Sequence, residues 1–281
     1  VRPNAYLEIS NFYTLTVYNK GAEVIRMLQT WLGEVAFKAG MQIYFKQYDG
    51  QAITIDEFLN AMAESSGQSM EQFKFWYTEQ GTPIVHLETK YDADLKQLSI
   101  IARQSAPSSN VSMPAMLIPI RVGFLDQSGE ALQVTNAQNV LQSETILLLE
   151  QSQQKFIFSD VEAEPICSLL REFSAPIRLE YALPRSQALC LIENDTDAYV
   201  RWFTLNQLFF KHVKACLDAD GRVLPLEDDL LQVYSNILQN TEKCRAEQVE
   251  VLSFPSERYL LEQFPGTDIH RLYEIRQGVL K

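Results

Sequence analysis

Apolar positions in the first 80 residues recur at helical spacing. Leu15, Ala22, Ile25, Leu28 and Leu32 fall three, four and seven apart, which marks the buried face of a helix over Leu15 to Leu32 that Gly33 ends. Phe37, Met41, Tyr44 and Phe45 predict a second helix, closed by Asp49-Gly50. Thr54-Ile-Asp-Glu57 has the spacing of a capping box, with the threonine oxygen accepting from the backbone ahead and the glutamate reaching back, so a third helix is expected from there to near Gly67. Ser69-Met-Glu-Gln72 repeats that spacing and predicts a fourth helix, carrying Phe73, Trp76 and Tyr77 up to Gly81-Thr82-Pro83.

After Pro83 the period changes from near 3.6 to 2. Ile84 and Leu87 on one side of Tyr91-Asp-Ala-Asp94, with Leu98 and Ile100 on the other, predict a hairpin. Leu117 to Leu125 reads as a strand, and Asp126-Gln-Ser-Gly129 as a turn into another over Ala131 to Thr135. Glu144 to Leu149 and Lys155 to Phe158 predict a second hairpin, and Pro176 to Tyr181 a last strand. Short strands at close spacing without a long helix between them imply a small antiparallel sandwich.

From Asp195 the helical period returns. Trp202, Leu205, Leu208, Phe209, Val213, Cys216 and Leu217 share one face of a long helix ended by Asp220-Gly221. Shorter helices are expected over Leu230 to Leu238, Ala246 to Leu252, Glu257 to Phe264 and Ile269 to Val279. Successive antiparallel helix pairs suggest the start of an α-helical solenoid, although no fixed sequence period identifies a named repeat. The expected organisation is therefore multidomain α and β: helical over 1–83, a small β-sandwich over 84–182, and the first part of a solenoid over 183–281. Val1 begins in mid-pattern and Lys281 ends without a polar capping segment, so both ends read as cuts in a longer chain.

Composition narrows the function classes. A formal charge of -12 over 281 residues, with no basic stripe, argues against nucleic acid or an anionic membrane surface as partner, because phosphate binding needs clustered Lys and Arg. No apolar run approaches the ~18 residues of a membrane-spanning helix, which predicts a soluble chain. Cys167, Cys190, Cys216 and Cys244 are widely spaced in apolar surroundings and read as buried free thiols rather than a disulfide framework or a zinc knuckle. Free thiols fit a cytoplasmic location. The histidines are His86, His212 and His270, each more than four residues from the next, which leaves no helical zinc pair. Glycine-rich phosphate loops and Gly-x-Ser-x-Gly elbows are absent.

What remains is SNFYTLTVYNKGAEVIRML, from Ser10 to Leu28. A tyrosine phenol ordinarily titrates near pH ~10, so at neutral pH it can donate a hydrogen bond to an oxygen gaining negative charge. A helix beginning at Lys20-Gly21 would give such a donor a rigid mount, with Lys20 available for a carboxylate and Gly21 for close backbone packing. On physical grounds alone the better reading is that Tyr13 and Tyr18 are packing aromatics at the head of a core helix, because aromatics usually contribute buried area.

Four stretches in order carry a family resemblance. Asn11 to Tyr18 followed by Asn19-Lys-Gly-Ala resembles the Tyr-x-Lys-Gly segment of the M1 family of zinc aminopeptidases. Phe75-Trp-Tyr77 leading into Gln80-Gly-Thr-Pro-Ile-Val85 resembles the end of that family's thermolysin-like catalytic domain. Glu172 to Tyr181 resembles the close of its β-sandwich, and Asn194-Asp195 with Arg201-Trp202 and Gln207 the entry to its helical domain. The resemblance implies that Tyr18 is the catalytic tyrosine stabilising the oxyanion, that Tyr13 lines the pocket for the first substrate side chain, and that Lys20 and Gly21 fix the helix carrying Tyr18. Asn19 departs from the acidic residue common there, which removes an ion pair from that position. It further implies a zinc cofactor whose ligands, a His-Glu-x-x-His helix and a later Glu, lie upstream of Val1, together with the Gly-x-Met-Glu-Asn segment for the substrate amine. The chain is then a fragment of an enzyme acting on peptides, with no metal ligand of its own and inactive alone. Composition alone, without the resemblance, favours a non-catalytic interaction scaffold of helices, sandwich and solenoid, since the chain holds no complete active site.

Overall fold

The computed structural model describes residues 16–108, 113–240 and 245–279. The chain divides into two compact units: Val1–Gly123 with Gln133–Glu164 and Phe173–Ala182, and Phe124–Leu132 with Pro165–Glu172 and Leu183–Lys281.

In the first unit, one π-helical turn over Thr16–Lys20 runs straight into α1 (Gly21–Leu32). Gly33, at φ 79°, separates it from α2 (Glu34–Tyr48), because that backbone angle is open to glycine and strained for other residues. The expected capping box starts α3 (Ile55–Ser66): Thr54 Oγ1 accepts from Asp56 N at 3.2 Å, Thr54 N donates to Glu57 Oε2 at 2.8 Å, and Gly67 closes the helix in the left-handed conformation. α2 and α3 touch through Gly40, where an added Cβ would lie 2.5 Å from Met62 Sδ and 2.8 Å from Ser65 Oγ. Met62 is fully buried, so its flexible thioether can give way only by displacing its packed neighbours. Gly40→Val is therefore expected to cost about 1–3 kcal/mol by overpacking, read as a lower urea midpoint in Trp31 and Trp76 fluorescence. An unchanged midpoint would show that this helix contact is loose.

The fourth helix is shorter than expected. Ser69 Oγ accepts from Glu71 N at 3.4 Å, but Gln72 does not reach back; its Nε2 donates to the carbonyls of Ala115 at 2.9 Å and Glu150 at 2.6 Å. With the glutamine drawn into tertiary contacts the box stays open, and only α4 (Phe75–Thr78) is regular. Phe73 still packs inward, stacked on Trp31 with ring centroids 5.8 Å apart, and Trp76 donates from Nε1 to Leu117 O at 2.9 Å.

The strands are β1 (Ile84–Asp92), β2 (Gln97–Ser105), β3 (Ile118–Leu125), β4 (Val134–Thr135), β5 (Leu141–Gln142), β6 (Glu144–Leu149), β7 (Gln153–Phe158), β8 (Ile166–Leu169) and β9 (Arg178–Tyr181). β1 and β2 form the expected hairpin, in register from Ile84↔Ser105 to Asp92↔Gln97, with Asp92 Oδ1 accepting from the amides of Asp94 and Leu95 in the turn. Asp126 organises its predicted turn in the same way, accepting from Ser128 N and Glu130 N, but the strand after it shrinks to β4, paired with β5.

Two strand expectations fail. β6 and β7 are not a hairpin: β6 pairs with β3, from Ile118↔Leu149 to Gly123↔Glu144, and β7 pairs with β2, from Leu98↔Phe158 to Arg103↔Gln153. The link between them changes sheet because its polar groups are met elsewhere, Glu150 O by Gln72, Glu150 N by Gln154 Oε1 and Ser152 O by Gln104 N. β9 pairs with β1 in parallel, Ile84↔Arg178 to Leu87↔Tyr181, so the four-stranded sheet β7-β2-β1-β9 is mixed rather than antiparallel. Pro83 starts that pairing, its carbonyl accepting from Arg178 N at 2.9 Å.

The second unit is built on helices α5 (Arg185–Asn194), α6 (Ala198–Asp218), α7 (Asp228–Gln239), α8 (Arg245–Val251), α9 (Glu257–Gln263) and α10 (Ile269–Val279). α5 begins ten residues before the point where the helical period was expected to return. Its buried positions, Ala188, Leu191 and Ile192, are few and follow directly on Pro184. Asp197 caps α6 by accepting from Val200 N at 2.8 Å. Of the face expected for α6, Leu205, Leu208, Phe209, Val213 and Cys216 are buried and Trp202 and Leu217 half-buried, and it serves two cores. Leu205 and Leu208 pack with Leu230, Val233, Ile237 and Val251, whereas Phe209, Val213 and Cys216 pack with Leu260, Leu272 and Ile275.

Cys167 and Cys216 are buried free thiols and Cys190 is a half-buried one; Cys244 lies outside the described residues. Burial pushes the Cys167 thiol up to about 12, which makes it unreactive.

Candidate active-site segment

The head of α1 departs from the continuous helix expected over Leu15 to Leu32. A π turn carries one more residue per hydrogen-bonded ring than an α turn and re-aims the side chains it holds. Here it holds Tyr18, Asn19 and Lys20. Tyr18 is 60% exposed, Asn19 is exposed and Lys20 is half-buried. Side chains two apart on a helix point to roughly opposite sides. Tyr18 thus faces outward while Lys20 faces the body of the unit.

Lys20 meets a carbonyl there, not a carboxylate. Its Nζ donates to Gly81 O at 2.6 Å, and among the described residues it makes no ion pair. Burial holds the ammonium below its ordinary range. Gly81 sits at φ 93°, and a Cβ there would fall 2.5 Å from Pro107 Cγ, so both backbone angle and space require glycine.

α1 itself is firmly seated. Val24, Met27 and Leu28 are buried, Arg26 Nη2 donates to Phe173 O at 2.9 Å, and the guanidinium lies 5.8 Å from the centre of the Phe173 ring. Nearby in sequence to Gly81, Tyr77 is buried, its hydroxyl has no hydrogen-bond partner among the described residues, and burial pushes its phenol upward.

Tyr13 lies outside the described residues. The histidines are placed apart. His86 Nδ1 pairs with Glu180 Oε2 at 3.0 Å; His212 is buried, with Nε2 3.5 Å from Cys216 Sγ; His270 is exposed at the start of α10. Among the described residues no cluster of His, Cys, Asp and Glu could hold a metal ion, so this donor set does not fit zinc. Sequence reasoning named Lys20 and quoted Gly81 but did not join them. They lie 61 residues apart, and no local signal pairs them.

Three family models cover nearly the whole chain. Residues 1–77 match the peptidase family M1 domain, 81–182 a domain of unknown function (DUF3458) with an Ig-like fold, and 185–281 a domain of unknown function (DUF3458_C) made of ARM repeats. The chain belongs to the M1 aminopeptidase family, and its sandwich and helical repeats are the Ig-like and ARM-repeat parts of that architecture. It is 32% identical over its full length to aminopeptidase N of Escherichia coli strain K12, covering 32% of that protein. To aminopeptidase N of Caulobacter vibrioides it is 40% identical over 72% of this chain and 23% of that protein. A crystal structure of Legionella pneumophila aminopeptidase A in complex with aspartic acid superposes with a TM-score of 0.84 at 28% identity, over 98% of this chain and 30% of that one. The chain therefore spans about a third of the length of the curated relatives it matches at full length.

Proposed function

We propose that this chain is part of a zinc aminopeptidase that hydrolyses N-terminal residues from peptides. In this reading 1–83 is the end of the catalytic domain, 84–182 the sandwich and 183–281 the start of the helical domain. Tyr18 is the catalytic tyrosine and Tyr13 a wall of the substrate pocket. The observation that carries this is Tyr18 itself, an exposed phenol on a firmly seated helix in a chain of M1 type.

The chemistry follows from what a phenol can do. When water attacks the scissile carbonyl, the carbon–oxygen double bond becomes single and the oxygen takes up negative charge. The Tyr18 O–H donates to that oxygen while keeping its proton. The tetrahedral species then collapses, the carbon–nitrogen bond breaks and the departing amine takes up a proton equivalent to the one the attacking water gave up. The donor is most valuable at the charged stage, so it accelerates the reaction instead of tightening ground-state binding. In this reading zinc is held by residues outside this chain, as the family resemblance implies; among the described residues no cluster of ligands is present for it. Peptides are the substrates. A net charge of -12 speaks against nucleic acid, and no described helix is long and apolar enough to cross a membrane. Free thiols support a cytoplasmic location.

The test compares the 281-residue chain with the longer protein that contains it, using an aminoacyl chromogenic substrate and metal analysis. The longer protein is expected to hydrolyse the substrate and hold stoichiometric zinc, and the 281-residue chain to do neither. Hydrolysis with bound zinc by the short chain would overturn the assignment of the ligands. Failure of the zinc-loaded longer protein would overturn the enzyme reading and leave the scaffold.

A further inference from the structure

We infer that Lys20 is a positioning residue for Tyr18, and that its hydrogen bond to the Gly81 carbonyl is a latch that sets where the phenol points. The inference rests on the reading of Tyr18 as oxyanion donor. Nζ to O is 2.6 Å, a charge-assisted contact between segments 61 residues apart. Its acceptor is fixed on every side. Upstream, Glu79 N donates to Phe75 O at 2.9 Å and ends α4; downstream, Pro83 O accepts from Arg178 N at 2.9 Å as β1 begins. Gly81 between them is held at φ 93° against Pro107.

The donor end sits at the junction of the π turn and α1. Lys20 closes the π turn and stands one residue before Gly21, with φ -64° and ψ -35°. Among the described residues no side chain caps α1 at this point. The turn that aims Tyr18 is thus secured by the Lys20 side chain, which pulls one side of it inward and leaves the tyrosine on the other. Released from Gly81, the turn can rewind toward ordinary α geometry, which changes the direction of Tyr18 by a fraction of a turn. A misplacement of about 1 Å in a catalytic group costs on the order of a hundredfold in rate.

The experiment is a double-mutant cycle in the full-length enzyme, with kcat, KM, zinc content and thermal midpoint measured for Lys20→Met, Tyr18→Phe and the pair. Lys20→Met is expected to lower kcat by roughly 10- to 100-fold with KM within about twofold and zinc retained. In the Tyr18→Phe background the same change is expected to cost less than about twofold, because no hydroxyl remains to be aimed. Lys20→Arg, which keeps a cationic donor, should recover part of the loss. Equal losses in both backgrounds, or a normal rate for Lys20→Met, would overturn the latch. A near-normal rate for Tyr18→Phe alone would instead overturn the reading beneath it. Should Lys20→Met fail to fold, Gly81→Ala breaks the latch from the acceptor side, and the same non-additivity with Tyr18→Phe is required of it.

Discussion

With Tyr18 as the proposed oxyanion donor, its replacement by phenylalanine in the longer protein is expected to lower kcat by about a hundred- to a thousand-fold, the usual loss for one such donor. The change deletes a single oxygen from a side chain that is 60% exposed. The ring and its packing are kept, so the thermal midpoint and zinc content should stay within error of wild type. KM should also change little, since the donor acts on charge that the bound substrate does not yet carry. Steady-state kinetics beside metal analysis and a melting curve separate these quantities. A variant that turns over within about threefold of wild type would reduce Tyr18 to a surface aromatic.

The largest expected loss of stability lies at Arg201→Met. Arg201 is 1% exposed in the middle of the second unit, where Nε donates to Ile192 O at 2.8 Å and Nη1 to Glu247 Oε1 at 3.1 Å. Methionine fills much of the same space but donates nothing, so the Ile192 carbonyl is left buried without its partner. Breaking a buried ion pair from one side typically costs about 3–5 kcal/mol. Glu247 is a third exposed and can rehydrate, which favours the lower end, about 3 kcal/mol. That corresponds to a melting temperature lower by roughly 12 °C for a unit of this size. Urea unfolding followed through Trp202 reads this unit; a midpoint that does not move would mean that the guanidinium is held no better than a hydrocarbon there.

Legibility in the sequence tracked the range of each interaction. Gly33, the Thr54 box, the β1–β2 hairpin and the buried face of α6 are decided by residues close together in the chain, and all were readable from spacing. The Ser69 box looked the same as the Thr54 box, yet Gln72 was claimed by carbonyls 43 and 78 residues away. The sheet change between β6 and β7 and the parallel seat of β9 are likewise settled by partners far along the chain. α5 was missed for the opposite reason, since its apolar stripe is too sparse to stand out. At the site, resemblance supplied Tyr18, and chemistry supplied what a phenol can do. What Lys20 binds required the fold.

The stitch between Pro83 and Arg178 also bears on how the sandwich is joined to the rest of the protein. Almost the entire length of that domain runs out from Pro83 and returns to within one hydrogen bond of it. Entry and exit are neighbours, the arrangement that tolerates insertion and excision of a domain. The sheet order adds a kinetic consequence: β1 has one neighbour available as soon as the hairpin turns, but the other arrives only after the chain has come full circle. Its last edge closes through a long-range contact, the slow kind. A ribosome that has released β1 and β2 must therefore carry an open, unpaired strand edge until β9 emerges.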